Sequence, residues 1–209
     1  MNGAPVAGHT TTDWSSIGPT GHAVQFYAGD DELIPLLAGY VGTAVVAGDA
    51  AIVIATRPHR EAMEACLALR GLSLEIARRQ GRLVELDAAE TLASMCRDTR
   101  IDPERMRGEA IRLIQRARAA TARPRGRVAV FGEMVSLLWS TGHVEEAVAL
   151  EELWNDVQRD VECSLMCSYP MKGFAQHNDA APFLRVCAQH SHIFPTQQKR
   201  TLDPVSPLA

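Results

Sequence analysis

Short apolar segments alternate along the chain with longer segments of helical periodicity. The apolar segments that predict β-strands are 23–28, 50–56, 82–87, 127–132 and 163–169. The second of them, AAIVIAT, is apolar throughout, as expected of a strand that is buried on both faces. Because helical segments separate all five, the strands cannot form hairpins. They should run parallel, joined by right-handed crossovers.

Between these strands, apolar residues recur three and four positions apart, which predicts α-helices. One helix follows the turn at Gly29 to Asp31 and ends at Gly48, and another begins at the Asp102-Pro103 pair. The other predicted helices span residues 59–70, 74–80, 88–97, 133–141, 144–160 and 182–189. The pattern predicts an α/β fold: a doubly wound, mainly parallel sheet of five or slightly more strands, with helices on both faces.

The two ends of the chain lack this periodicity. Residues 1–20 are rich in Gly, Thr, Ser and Pro, and residues 194–209 contain three prolines, so we predict a flexible arm and a flexible tail. Residues 21–193 should form one domain, as expected for a chain of 209 residues.

Composition and charge limit the kinds of partner and the cell compartment that we expect for this protein. The net charge of −4 gives no reason to expect binding to nucleic acid or to an anionic membrane. No apolar run reaches the ~20 residues of a membrane helix, and the first residues do not resemble a signal peptide. The five cysteines are scattered and odd in number, as in reduced cytosolic proteins. We therefore expect a cytoplasmic protein without nucleic-acid or membrane partners.

The candidate ligand-binding residues lie where the predicted strands end, because ligands of parallel α/β sheets bind at the carboxyl edge. They are Tyr27, Asp30, Asp31, Thr56, Arg57, His59, Glu133 and Tyr169. Either aspartate could accept a hydrogen bond from a neutral or cationic ligand, or simply cap the turn. Glu133 could polarise a ligand or act as a base, or it could cap the following helix.

Catalytic motifs are absent from the sequence. It contains no G-x-x-x-x-G-K-[ST], G-x-G-x-x-G or G-x-S-x-G segment. Two aspartates in the first strand–helix turn would repel a phosphate. We therefore assign no catalytic residue, identify no cofactor, and do not expect a self-sufficient enzyme.

Two groups of residues in the sequence have side chains of metal-ligand type. On one strand, Cys163 and Cys167 would lie ~13 Å apart, at ~3.3 Å per residue, too far to share a zinc ion. The segment with Cys187, His190 and His192 has ligand types but no further partner at a diagnostic spacing, and His190 could cap the last helix. We therefore predict buried thiols and no metal site.

Ten arginines lie between Arg97 and Arg127. Acidic residues are interleaved with them, and no aromatic side chain is present in this stretch to stack on bases. This pattern favours a solvated helix face, with a protein-docking face as the alternative.

Several short segments together resemble one family. They are HAVQFY at 22–27, GRL at 81–83, FGEM at 131–134, LWN at 153–155 and MCSYP at 166–170. Their order and spacing over residues 20–192 are similar to the MEDS domain, the methanogen/methylotroph sensory domain also found in the dichloromethane-metabolism regulator DcmR. His22 starts a strand, away from the carboxyl edge, which favours a structural role for it.

The resemblance implies a sensory module for small hydrocarbon derivatives, with a fold related to the RecA- and KaiC-like ATPase domains. Family members are often joined to histidine kinases or DNA-binding regions, and this sequence shows neither. The resemblance therefore implies a stand-alone sensory domain that binds a small organic ligand and signals in trans to a partner such as a kinase or regulator; a homo-oligomer is compatible with it. The alternatives are a degenerate RecA/KaiC-like nucleotide-binding protein without efficient hydrolysis, and an interaction protein without a ligand.

Overall fold

The computed structural model describes residues 17–97, 100–172 and 180–196. Its strands are β1 (His22–Tyr27), β2 (Ala50–Ala55), β3 (Leu83–Asp87), β4 (Cys96–Arg97), β5 (Arg100–Ile101), β6 (Val128–Gly132), β7 (Ser164–Pro170) and β8 (His192–Phe194). Its helices are α1 (Asp30–Val46), α2 (Arg57–Leu69), α3 (Glu75–Arg79), α4 (Ala88–Met95), α5 (Pro103–Ala119), α6 (Met134–Ser140), α7 (Val144–Asp160) and α8 (Ala181–Ala188).

Six strands form one parallel sheet in the order β3-β2-β6-β7-β1-β8. Every ladder in this sheet is parallel. The short strands β4 and β5 form a separate antiparallel pair. The predicted α/β fold with a mainly parallel sheet is therefore confirmed, with six strands in the sheet.

Helices cover both faces of this sheet. Alternate residues of a strand point to opposite faces, and in β2 Ile52 packs with helices α4 to α8 whereas Val53 packs with α1 to α3. The chain order explains this division. It moves from β1 to β3 in one direction along the sheet and from β3 to β8 in the other, and right-handed crossovers then place the two sets of helices on opposite faces.

Local signals fix several helix ends. The Asp87 carboxylate caps α4 by accepting hydrogen bonds from the N–H groups of Ala89 and Glu90. Asp102 caps α5 in the same way, with Pro103 in the first turn. Gly48, with φ of +78°, follows the end of α1 in a conformation that side chains disfavour.

The arginine-rich helix α5 buries its apolar stripe at Met106, Ala110, Ile114 and Ala117. Two of its arginines pair with acids: Arg105 donates to Glu109 at 3.2 Å and Arg107 to Asp160 at 2.7 Å. These pairs fit the predicted solvated face, and the docking alternative stays a prediction.

The structure at the ends of the domain differs in detail from the predicted one. The strand β8 and the β4–β5 pair were not predicted, and β8 ends at Phe194, the first residue of the predicted tail. Ile17, within the predicted arm, is buried among residues of the α1 face. Residues 1–16 and 197–209 of these two segments lie outside the described residues. None of the helices in the described part of the chain combines the length and apolarity needed to cross a bilayer.

Candidate functional site

The carboxyl ends of β2 and β6 lie side by side, with Ile54 opposite Gly132 in the register. Glu133 directly follows β6 and is 1% exposed. Its Oε2 accepts a hydrogen bond of 2.8 Å from the backbone N–H of Thr56, which follows β2. The buried carboxylate therefore joins the two loops at this edge.

His59 lies between this buried carboxylate and the surface. Its Nδ1 is in close hydrogen-bond contact with Glu133 Oε1, and its Nε2 lies 3.3 Å from Asp30 Oδ1. The exposed fraction of the side chain falls from 72% at Asp30 to 15% at His59 and 2% at Glu133. These three side chains form a continuous polar path from solvent into the domain.

The two neighbouring carboxylates favour the charged imidazolium. Both ring nitrogens of His59 face a carboxylate oxygen, so both can donate only when the ring is protonated. The pKa of His59 is raised, chiefly by its hydrogen bond with Glu133; burial opposes this shift, and the charges of Glu133 and Asp30 add to it. His59 can therefore hold a proton at this edge. A bound molecule could accept a hydrogen bond from the His59 N–H that faces Asp30, or donate one to the Asp30 carboxylate.

Tyr27 completes the cluster at the end of β1. Burial raises the pKa of its phenol, the nearby charges of Glu133 and Asp30 raise it further, and a hydrogen bond with Ser136 opposes them. The phenol therefore stays neutral, as a group that can donate a hydrogen bond. The structure thus brings together five of the predicted residues: Tyr27, Asp30, Thr56, His59 and Glu133.

Of the other three predicted residues, Arg57 and Tyr169 lie apart from this cluster. Arg57 is exposed and pairs with Glu61, one turn further along α2, at 2.7 Å. Asp31 is an exposed residue in the first turn of α1. Tyr169 is buried on the opposite face of the sheet, where its hydroxyl donates to Glu151 Oε1 at 2.8 Å.

One residue at this edge was missed by the sequence analysis. The Arg60 guanidinium donates to the Leu86 carbonyl at 2.9 Å and to Asp87 Oδ2 at 3.2 Å, and so ties α2 to the end of β3. The sequence contains no signal for this role of Arg60, because Leu86 and Asp87 lie more than twenty residues away along the chain.

A second polar cluster is fully buried beneath α7. The Oε2 atom of Glu151 lies 3.3 Å from His22 Nε2, 3.5 Å from His190 Nε2 and 3.1 Å from Cys167 Sγ. Burial raises the pKa of the Cys167 thiol well above its usual value, and the Glu151 charge adds to this. Burial would also raise the pKa of Glu151, but the two imidazoles, when they are protonated, outweigh it and lower that pKa.

The fold and the cluster around His59 and Glu133 together define a parallel α/β domain with a polar site at the carboxyl edge of its sheet. The family model of the MEthanogen/methylotroph, DcmR Sensory (MEDS) domain matches residues 21–190. This match covers most of the chain, which therefore belongs to the MEDS family of sensory domains, as the resemblance in the sequence indicated. No curated protein matches the chain significantly.

Proposed function

We propose that this MEDS domain binds a small organic molecule at the carboxyl edge of its sheet and signals in trans to a partner protein in the cytoplasm. The observation that carries the proposal is the path from exposed Asp30 through His59 to buried Glu133. It lies at the edge where parallel α/β sheets bind ligands, in a chain that belongs to a sensory family.

The charges at this edge favour a neutral or cationic ligand. Asp30, Asp31 and Glu32 all lie in the first turn of α1, at the helix end that would otherwise attract an anion. One imidazolium faces Glu133 and Asp30, so the cluster offers carboxylate acceptors and a shielded N–H donor. An alcohol or amine group satisfies these partners, whereas a phosphate would meet the acidic turn.

The same acidic turn weighs against the nucleotide-binding alternative. A RecA/KaiC-like relation is part of this proposal and rests on the parallel sheet with helices on both faces. A turn that carries three acids would have to hold phosphates without the lysine of a phosphate-binding loop. We therefore treat nucleotide binding as an outcome that the experiment can reveal.

Native mass spectrometry and thermal unfolding of the full chain test the proposal. The probes are C1–C4 alcohols, amines and halogenated alkanes, with ATP and ADP alongside. We expect one of the small organic probes, or a co-purified organic mass, to bind and to raise the Tm. The rise should disappear in Glu133→Gln and His59→Gln and persist in the matched control Arg57→Gln, whose side chain is 78% exposed.

Three results would count against it. Folded wild-type protein that responds to no organic probe and carries no organic mass would contradict ligand binding. A response that is equal in all variants would place the ligand elsewhere. Stoichiometric binding of ATP, with none of the organic probes, would favour the nucleotide alternative.

A further inference from the structure

We propose that the protein binds one zinc ion in the buried cluster formed by His22, Glu151, Cys167 and His190. The four side chains come from the start of β1, from α7, from β7 and from the link between α8 and β8. This site is separate from the carboxyl-edge cluster of Tyr27, Asp30, Thr56, His59 and Glu133, and the proposal does not depend on the function proposed above.

The spacing of the ligand atoms suits a tetrahedral ion. All four lie within 4.8 Å of one another, and the separations from Glu151 Oε2 are 3.1 to 3.5 Å. The Cys167 Sγ to His22 Nε2 distance is 3.6 Å. Zinc bonds of about 2.0–2.3 Å in a tetrahedron separate the ligand atoms by about 3.3–3.7 Å. The remaining separations, which are at most 4.8 Å, would have to shorten by up to about an ångström as the side chains close around the ion.

The hydrogen bonds on the far sides of the two imidazoles determine which nitrogen carries the proton. Asn155 Nδ2 donates to the Gln189 carbonyl at 3.1 Å, so its Oδ1 faces His22 Nδ1 as an acceptor at 2.9 Å. His190 Nδ1 lies 2.7 Å from the Val186 carbonyl. Both Nδ1 atoms therefore donate, and in the neutral rings both Nε2 lone pairs point into the cluster.

These inward lone pairs need a positive centre. Two neutral imidazoles would direct their lone pairs at the Glu151 carboxylate, and His190 Nε2 is buried without a hydrogen-bond partner among the described residues. Protonating one ring would leave the lone pair of the other facing the carboxylate, and protonating both would bury two positive charges against one negative charge, which is costly in a site without solvent. A divalent ion with one thiolate, one carboxylate and two neutral imidazoles gives a net charge of zero.

The surroundings orient each ligand as in known metal sites. Metal-binding histidines usually donate their other ring N–H to a carbonyl or carboxylate, and here Asn155 and Val186 accept those bonds. The Tyr169 hydroxyl holds the second oxygen of Glu151 at 2.8 Å and leaves Oε2 for the ion.

The ligand set favours zinc and a closed site. A thiolate and two imidazoles select zinc over the hard cations magnesium and calcium, which prefer oxygen ligands. All four ligand side chains are at most 3% exposed, so four protein ligands surround the ion and leave no open position for a substrate. The ion would fasten the α8–β8 segment to the sheet. Sequence spacing could not reveal this set, because it combines one residue from each of four separate elements.

Metal analysis of the full chain, purified without chelator, tests the proposal. We expect about one zinc per chain, as for a closed four-ligand site. The zinc should be lost in Cys167→Ser and His190→Gln and retained in the controls Cys163→Ser and His192→Gln. With cobalt as the probe, wild type should show tetrahedral d–d bands and a thiolate charge-transfer band that Cys163→Ser keeps. Asn155 orients His22, so Asn155→Ala should weaken zinc binding about 10–100-fold while tetrahedral cobalt bands persist.

Several outcomes would overturn it. One is a folded wild-type protein that contains no zinc and takes up neither zinc nor cobalt at one equivalent. Another is loss of zinc in His192→Gln with retention in Glu151→Gln. If Cys167→Ser fails to fold by circular dichroism, the wild-type cobalt spectrum decides: a missing thiolate band rejects the site, and its presence supports it.

Discussion

Glu133 accepts a hydrogen bond of 2.8 Å from the backbone N–H of Thr56, and the two residues directly follow neighbouring parallel strands. This bond occupies one carboxylate oxygen and leaves the other for His59. The backbone of β2 thus fixes the orientation of the acid that controls the imidazole, and the protonation of His59 depends on Glu133.

The pKa of His59 should depend on the charge of Glu133. Changing Glu133→Gln removes the charge and the charge-assisted hydrogen bond, which is the largest cause of the raised His59 pKa. The pKa of His59 should therefore fall, measured by NMR titration of its ring protons in the full chain. Glu61→Gln, at an exposed acid that pairs with Arg57, is the control and should leave the His59 titration unchanged.

The raised pKa also predicts how stability depends on pH. A folded-state pKa above the usual value of 6.5 means that the folded protein binds the proton more tightly than the unfolded chain does. The stabilisation from His59 is then complete below pH 6.5 and is lost as the pH rises through the folded-state pKa. Urea unfolding across this window should show a free energy that decreases with pH. His59→Gln should flatten the decrease; an unchanged slope would contradict the prediction.

A buried tyrosine links α1 to two strands. The Tyr40 hydroxyl donates to the Ser164 carbonyl at 2.9 Å and is also within 3.4 Å of the Val130 carbonyl. Tyr40→Phe should lower the free energy of unfolding by about 1–2 kcal/mol, because these buried partners lose a donor. Thr43→Ala, at an exposed hydroxyl on the same helix, should change it by less than about 0.5 kcal/mol. Equal effects of the two substitutions in urea titrations would reject this account.

Two glycines should respond to alanine in opposite directions. Gly71 follows α2 with φ of +77°, so Gly71→Ala should destabilise by about 1 kcal/mol although its Cβ meets no atom. Gly108 lies within α5, and a Cβ there meets only the Arg112 side chain, at 3.3 Å, whose exposed end can move. Gly108→Ala should therefore stabilise by about 0.5–1 kcal/mol. Thermal unfolding of both variants gives the comparison, and a shared sign would contradict it.

Cys163 should be chemically inert in the folded protein. Burial raises the pKa of its thiol to about 12, so almost no thiolate is present near neutral pH. Cys66, Cys96 and Cys187 are partly exposed. Cys163→Ser should leave the rate of native thiol labelling by a disulfide reagent unchanged and should remove one reactive thiol after unfolding. A slower native reaction in this variant would show that Cys163 is accessible.

The strands and helices of the interior could be predicted because their signals are local. The run at 50–55 is apolar at every position, and Asp102-Pro103 marks a helix start whatever surrounds it. The strand β8 has three residues, too few for a period, and it depends on pairing with β1 and on the Ser191 hydroxyl, which donates to the His22 carbonyl at 2.9 Å.

The sequence predicts those members of the carboxyl-edge cluster that directly follow strands, because the sheet topology determines their positions. The rule that strand ends share an edge placed Tyr27, Thr56 and Glu133 together. Tyr169 lies next to the end of β7, but its ring is on the other face of the sheet, where it packs edge-on against Trp139, with centroids 5.5 Å apart. The side chain of Arg57 pairs with Glu61 on its own helix, and the sequence does not determine whether it pairs there or points toward the cluster.

The position of β1 between β7 and β8 has a consequence for biosynthesis. The first strand of the sheet finds both hydrogen-bonded neighbours among the last described elements, and the His22 N–H reaches the Ser191 hydroxyl across 169 positions of the chain. On the ribosome, β2 and β3 can pair as soon as they emerge, whereas β1 waits until β7 has been made. Contacts at such separation form late, so a nascent chain interrupted before β7 exposes β1 as an unpaired apolar strand, the kind of segment that aggregates or binds chaperones.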